Sequence, residues 1–302
     1  MINHVIAIPL CILMLLSLTM CLIVSSAAIW TPKMRSRGFN LYLSGLLFPD
    51  IIMNLTVLII SFIELAEDKK IETMSLDACA FGMAMITYNY AVNIWISALI
   101  CNKVHRILVN SHNAVRSVRE DPKKIIKKII FVNFIACIMS ILVYVIAPQF
   151  GVNSHENACL NLRTRDSDLF FVIYSIFTYF PILYVCYVTF DVYWRKLLPP
   201  PGTSRFIATF FLRTAIVSTI MSTAASVATW HRDETTFKAF QFVVHAQGLV
   251  VGAMSMMKPD ILKTVSEMCY CAKSVEKSKN SNMNITNGQK TNITLKQSTA
   301  VE

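Results

Sequence analysis

Seven apolar blocks run along the chain, at about 5–30, 40–63, 80–101, 126–147, 169–194, 205–230 and 237–257. Each is long enough for a tilted α-helix across ~30 Å of hydrocarbon, which needs about 20 residues. Glycine is scarce and no short alternating strands recur between turns, which sets a β-barrel aside. The pattern predicts an all-α membrane protein, a seven-transmembrane helix bundle over residues 1–258. The first block has no basic segment before it and outruns a signal-peptide core. It is expected to be a retained span, with a cleaved signal as the alternative. Pro49 and Pro181 fall inside the second and fifth blocks, where neighbouring helices can satisfy the freed carbonyls.

The charge between blocks alternates. Lys33, Arg35 and Arg37 follow the first block, and Glu64, Glu67, Asp68 and Glu72 dominate the gap after the second. The third gap is strongly basic, with Lys103, Arg106, Arg116, Arg119, Lys123, Lys124, Lys127 and Lys128 against Glu120 and Asp121. The fourth is slightly acidic, the fifth basic (Arg195, Lys196, Arg205), the sixth neutral and the tail basic. The positive-inside rule then places the N-terminus outside and the C-terminus in the cytoplasm. A multi-pass protein of the plasma membrane is the expected setting, with too few residues before the first block for an outer binding domain.

Composition agrees. Of 302 residues, 55% are hydrophobic and 15% charged, against about 25% charged in a soluble domain. The net charge of +10 does not point to nucleic acid, because it lies in a few loops that flank apolar blocks beside an anionic leaflet. Nine cysteines exclude a complete disulfide framework. Cys79 and Cys159 alone map to the outer, oxidising side. A bridge between them would pin the second outer loop over the bundle mouth; two free thiols are the alternative.

Polar residues inside the blocks are the candidate chemistry. Asp50 lies ten residues past Asn40, roughly 15 Å along a helix and near the bilayer centre. A charge there is costly and usually faces a bundle interior. Asn54 is one turn on, and Asn89 and Asn93, four apart, share one helix face. Interhelical hydrogen bonding accounts for such a set without a ligand. Arg213 either pairs with Asp50 or snorkels to head groups. Gln241 and His245, in the outer half of the seventh block, either line a ligand cavity or face a neighbouring helix. Gly248 and Gly252 form a G-x-x-x-G pair that permits close helix contact, for which packing within the bundle suffices.

Past Pro259, residues Ile261, Leu262, Val265, Met268 and Cys269 recur at helical spacing, which predicts an amphipathic juxtamembrane helix over 259–272 lying on the inner leaflet. Cys269 and Cys271 are candidate palmitoylation sites or unmodified thiols. Residues 273–302 are rich in Ser, Asn, Thr and Lys and read as a disordered cytoplasmic tail with candidate phosphorylation sites at Ser274, Ser278, Ser281 and Thr286. The sequons at Asn284 and Asn292 fall on the side of the membrane where glycans are not added.

The layout resembles the G-protein-coupled receptors of the rhodopsin-like and cAMP types: seven spans, the N-terminus outside, Cys79 at the top of the third span and Cys159 in the second outer loop. Asn40 and Asp50 are similar to a pair in that family's second helix, Pro181 to its fifth-helix proline, and 259–272 to its eighth helix. RSRGFNLYLSGLLFPD resembles short orphan receptors of single-celled algae and other protists, and Gln247-Gly248 a pair in the seventh helix of cAMP-type and adhesion receptors. The resemblance implies that Asp50, Asn54, Asn89 and Asn93 form a polar core able to take a small cation or water. It also implies an unknown small ligand outside, and a heterotrimeric G protein docked at Arg106, Arg116, Arg119, Lys123 and Lys124. The chain departs from the pattern in three places. CNKVHRI replaces the acidic-Arg-aromatic triplet, with Arg106 either a substitute or a positive-inside residue; the sixth span has no proline; and the seventh lacks Asn-Pro-x-x-Tyr.

The expected function is therefore an orphan receptor that transduces an unknown extracellular ligand to a cytoplasmic G protein. The alternative is a small multi-pass transporter or channel, which would show internal repeats or paired broken helices; the first and last three spans show no self-similarity. No nucleophile motif or metal-ligand spacing occurs in the spans, so no enzyme and no cofactor are expected, and no lysine within the seventh span could hold retinal. A scaffold without a ligand stays open.

Overall fold

A computed structural model of the chain describes residues 4–66, 76–113, 120–146, 165–230 and 234–268. Helices dominate: α1 (His4–Ile29), α2 (Pro32–Arg35), α3 (Gly38–Ala66), α4 (Leu76–His112), α5 (Pro122–Ile146), α6 (Arg165–Trp194), α7 (Thr203–Trp230) and α8 (Glu234–Met256). Residues 259–268 add a further helical stretch. Six helices contain stretches long and apolar enough to cross a membrane, in α1, α3, α4, α5, α6 and α7; the apolar part of α8, Phe242–Met256, is shorter. The chain is a multi-pass helical membrane protein on these grounds.

Two elements differ from the sequence reading. The third block ends at 101, yet α4 continues to His112. Val104 and Leu108, four apart beyond the block, are buried in the core and carry the helix on past the apolar run. The short α2 lies in what reads as a basic loop. Thr31 caps it by accepting the Met34 N–H at 3.2 Å, and Pro32 opens it, where a missing N–H costs nothing.

α4 is the packing centre. It touches α3, α5, α6 and α7, and 72% of its span residues are buried, against 22% for α5. α5 exposes Phe131, Phe134, Ile141 and Val145, which suits a lipid-facing helix. α1 packs on α3 and α8, and α8 packs on α1, α3 and α7. The ends of α3 to α8 near Arg37, Lys103, Lys128, Arg195, Arg205 and Lys258 form one basic end of the bundle.

Close approach of α8 to α1 and α3 depends on glycine. A Cβ at Gly248 would lie 2.6 Å from Cys21 Sγ, 2.7 Å from Ser17 Oγ and 3.0 Å from Asp50 Cβ. One at Gly252 would meet Met20 Cγ at 2.5 Å. The G-x-x-x-G face thus packs inside the bundle.

Candidate functional site

The apolar middle of the bundle encloses a polar centre. Asp50 is 1% exposed, in α3 directly after Pro49. Asn89 and Asn93, on one face of α4, both donate to Asp50 Oδ1, at 2.7 and 3.3 Å, and Asn93 also donates to Asn89 Oδ1 at 3.0 Å. Asn54, a turn beyond Asp50, donates to the Asp50 carbonyl at 2.9 Å and to Ser17 Oγ of α1 at 3.2 Å. His245 of α8 lies with Nδ1 2.8 Å from Asn54 Oδ1. An amide oxygen only accepts, so this contact requires the proton on Nδ1. Gln247 of α8 binds Ser222 and Ser218 of α7 through Nε2, at 3.0 and 3.4 Å. Five helices therefore contribute to buried polar contacts around Asp50 and Gln247.

All four residues of the expected polar core meet as a group. His245 joins them, turned towards α3 rather than into an opening. The Gln241 side chain lies outside the described residues. Ser17 was missed by sequence reasoning, since a lone small polar residue in an apolar block is too common a signal to single out. Ser218 and Ser222 read in the sequence as small polar surface for close helix contact, not as partners of Gln247. Arg213 does not pair with Asp50. It is exposed, and lies beside a cavity near the basic end.

Two buried oxygens in the cluster lack partners, Asp50 Oδ2 and Asn93 Oδ1. Both are acceptors, and oxygens of this kind suit a proton, an ordered water or a hard cation. Buried polar groups ordinarily find partners, so these two mark where the centre can still bind or rearrange. Among the described residues no His, Cys, Asp and Glu gather as a three-member metal site.

The chain matches no protein-family model and no curated protein. Its chemistry is read from its own geometry.

A second polar layer ties α3, α7 and the segment after α8 at the basic end. Lys258 Nζ donates to Asn40 Oδ1 of α3, lies 3.0 Å from Asp260 Oδ2 and sits 5.4 Å above the Phe211 ring of α7. Arg37 closes on Asp260 at 2.5 Å. Phe211 stacks on Phe39 with centroids 4.3 Å apart. Burial raises the Asp260 carboxyl, but Lys258 and Arg37 more than reverse this and hold it below the ordinary carboxylate value. Burial likewise pushes Lys258 down, opposed by Asp260.

Asp191 of α6 accepts from His105 of α4 at 2.9 Å and from Arg195 at 2.8 Å. Glu120 bridges Lys103 of α4, at 3.2 Å, and Lys128 of α5. Burial raises the Glu120 carboxyl, and these two lysines bring it net below its ordinary value.

Among the expected partner-contact residues, Arg106, Lys123 and Lys124 are exposed at this end, while Arg116 and Arg119 lie outside the described residues. Arg106 turns outward, and its neighbour His105 makes the interhelical contact. Cys159, Cys269 and Cys271 and the side chain of Cys79 also lie outside the described residues. Within 259–268, Ile261, Val265 and Met268 pack on the core, whereas Leu262 is 53% exposed and points away from it. The face turned to the bundle is thus narrower than the sequence pattern suggests.

Proposed function

We propose that the chain is a seven-helix receptor, with α8 as its seventh span, that passes a change at its outer mouth to a heterotrimeric G protein at the basic, cytoplasmic end. The observation that carries this reading is a pair of polar layers linked through α3, with α8 running on into the second at Lys258. The central layer joins α1, α3, α4 and α8 through Asp50. The end layer joins α3, α7 and residues 258–260 through Asn40, Lys258 and Asp260. Packed helices switch between discrete arrangements, and hydrogen-bond partners exchanged in one layer bias the other. Asp50 Oδ2 and Asn93 Oδ1 can each accept a further hydrogen bond, which such an exchange of partners uses. Exposed Arg106, Lys123 and Lys124 offer the partner a basic surface.

α8 is flanked by α1, α3 and α7, each of which carries a candidate span. An apolar helix among three spans buries its own backbone at the same depth, which supports seven spans over six.

The test is nucleotide exchange on co-expressed heterotrimeric G proteins in membranes. The receptor reading expects basal exchange above empty membranes and a several-fold drop on combined Arg106→Ala, Lys123→Ala and Lys124→Ala substitution. No response from any G protein, together with solute flux in reconstituted vesicles, would establish the transporter instead.

A further inference from the structure

Arg205, Thr209 and Arg213 stand at four-residue steps on α7 and so share one face. Together with Tyr193 of α6, Leu198 of the connection and Phe206, they line a cavity of about 350 Å³ at the basic end. The cavity is open rather than enclosed, at the low end of small-ligand site volumes.

Arg37, Lys103, Lys128, Arg195, Lys258 and Lys263 each face a carboxylate. Among the described residues, Arg205 and Arg213 have none, as is also true of Arg35, Arg106, Lys123, Lys124, Lys127 and Lys196; what sets Arg205 and Arg213 apart is that both line one cavity. Arg213 lies two turns farther along α7 than Arg205, about 12 Å, inside the candidate span Thr203–Ala224. A guanidinium at that depth reaches back along its stem to the polar boundary, which brings the two arginines to one opening.

Exposed aromatic residues lie at and next to the opening. Tyr193 and Phe206 line it, 52% and 44% exposed, and Trp194, which follows Tyr193 on α6, is 75% exposed and stacks on Phe190. α6 ends there in a fixed turn: Lys196 adopts φ 52° and the Leu197 N–H returns to the Val192 carbonyl at 3.0 Å. Two unpaired guanidiniums beside an exposed aromatic strip, at the level where a span meets its basic loop, suit a molecule with an anionic head and an apolar chain. Arginine binds phosphate bidentately, with two parallel hydrogen bonds per guanidinium.

We propose that this cavity holds the head of an anionic glycerophospholipid from the leaflet at the basic end, with its acyl chains running from Tyr193 and Phe206 towards Trp194. Arg205 and Arg213 grip its phosphate and its net negative charge, which phosphatidylcholine balances with its own cation. Free phosphate shares the head chemistry, but the aromatic strip has no role for it. The proposal does not depend on the receptor reading.

The test reconstitutes the full chain in nanodiscs of phosphatidylcholine with a minor fraction of phosphatidylserine, and counts retained lipids by native mass spectrometry. Wild type is expected to retain one phosphatidylserine, about 30-fold preferred over phosphatidylcholine, as two basic contacts at an anionic surface give. Arg205→Gln with Arg213→Gln should abolish the preference, while the charge-matched pair Arg35→Gln with Lys263→Gln should keep it. Equal loss in both pairs, or no preference in wild type, overturns the proposal. Displacement of the lipid by millimolar inorganic phosphate overturns the lipid as the occupant. A readout that needs no arginine variant is quenching of Trp194, assigned with Trp194→Phe. Brominated phosphatidylserine should quench it more than brominated phosphatidylcholine, and equal quenching counts against the site.

Discussion

Asp50 holds its place because Gly248 lets α8 come close enough for His245 and Gln247 to reach α3 and α7. Gly248→Ala puts a methyl group against Cys21 Sγ, Ser17 Oγ and Asp50 Cβ at once, and should cost about 1–3 kcal/mol as overpacking does. Gly252→Ala meets chiefly the flexible Met20 side chain and should cost less. Thermal unfolding in detergent ranks the two, and a larger loss at Gly252 would contradict the packing described. Asp50→Ala strips the acceptor from two buried amides and should lose about 1–3 kcal/mol, whereas Asp50→Asn, which keeps an acceptor oxygen, should lose less. Part of this centre was legible in the sequence. A carboxylate in mid-span needs partners, and Asn89 and Asn93, one turn apart, present two amides on one face. His245 as the partner of Asn54 was not legible, because helical periodicity says which residues share a face but not which helix that face meets.

At the scale of elements, contacts beyond the apolar runs decide what the hydrophobic pattern left open. α4 outlasts its apolar block because Val104 and Leu108 stay buried, and its far end is tied to α6 and α5 through Asp191 and Glu120. Stretch 259–268 is anchored by Asp260, whose lowered pKa fixes the sign of its pH dependence. A carboxylate held below its unfolded value contributes stability at neutral pH and loses it as pH falls through the folded pKa, below the ordinary value near 4. Amide protection in 259–268, taken relative to the intrinsic exchange rate at each pH, should therefore be high at pH 7 and fall below about pH 4, and Asp260→Asn should remove most of that difference. A protection factor that does not change with pH would show that the anchor lies elsewhere. Lys196 closes α6 in the left-handed region, which favours glycine. Lys196→Gly should stabilise the α6 end by roughly 1 kcal/mol, read as slower local amide exchange there.

For the whole molecule, the hydrophobic pattern recovers the all-α architecture and places each long helix, because apolar length is set by bilayer thickness and little else. It also anticipates which helix is central only indirectly. The candidate span in α4 has the lowest mean hydropathy of the six, and the most buried helix is the one that can hide its polar residues. Orientation and span number rest on α8, whose apolar part is short but whose neighbours are all candidate spans. An even number of spans puts both chain ends on one side of the membrane; seven puts them on opposite sides. Protease protection of a doubly tagged chain in intact cells separates the two. The seven-span receptor account predicts that an N-terminal tag is digested from outside and a C-terminal tag is protected until the membrane is permeabilised. Digestion or protection of both tags together would contradict it.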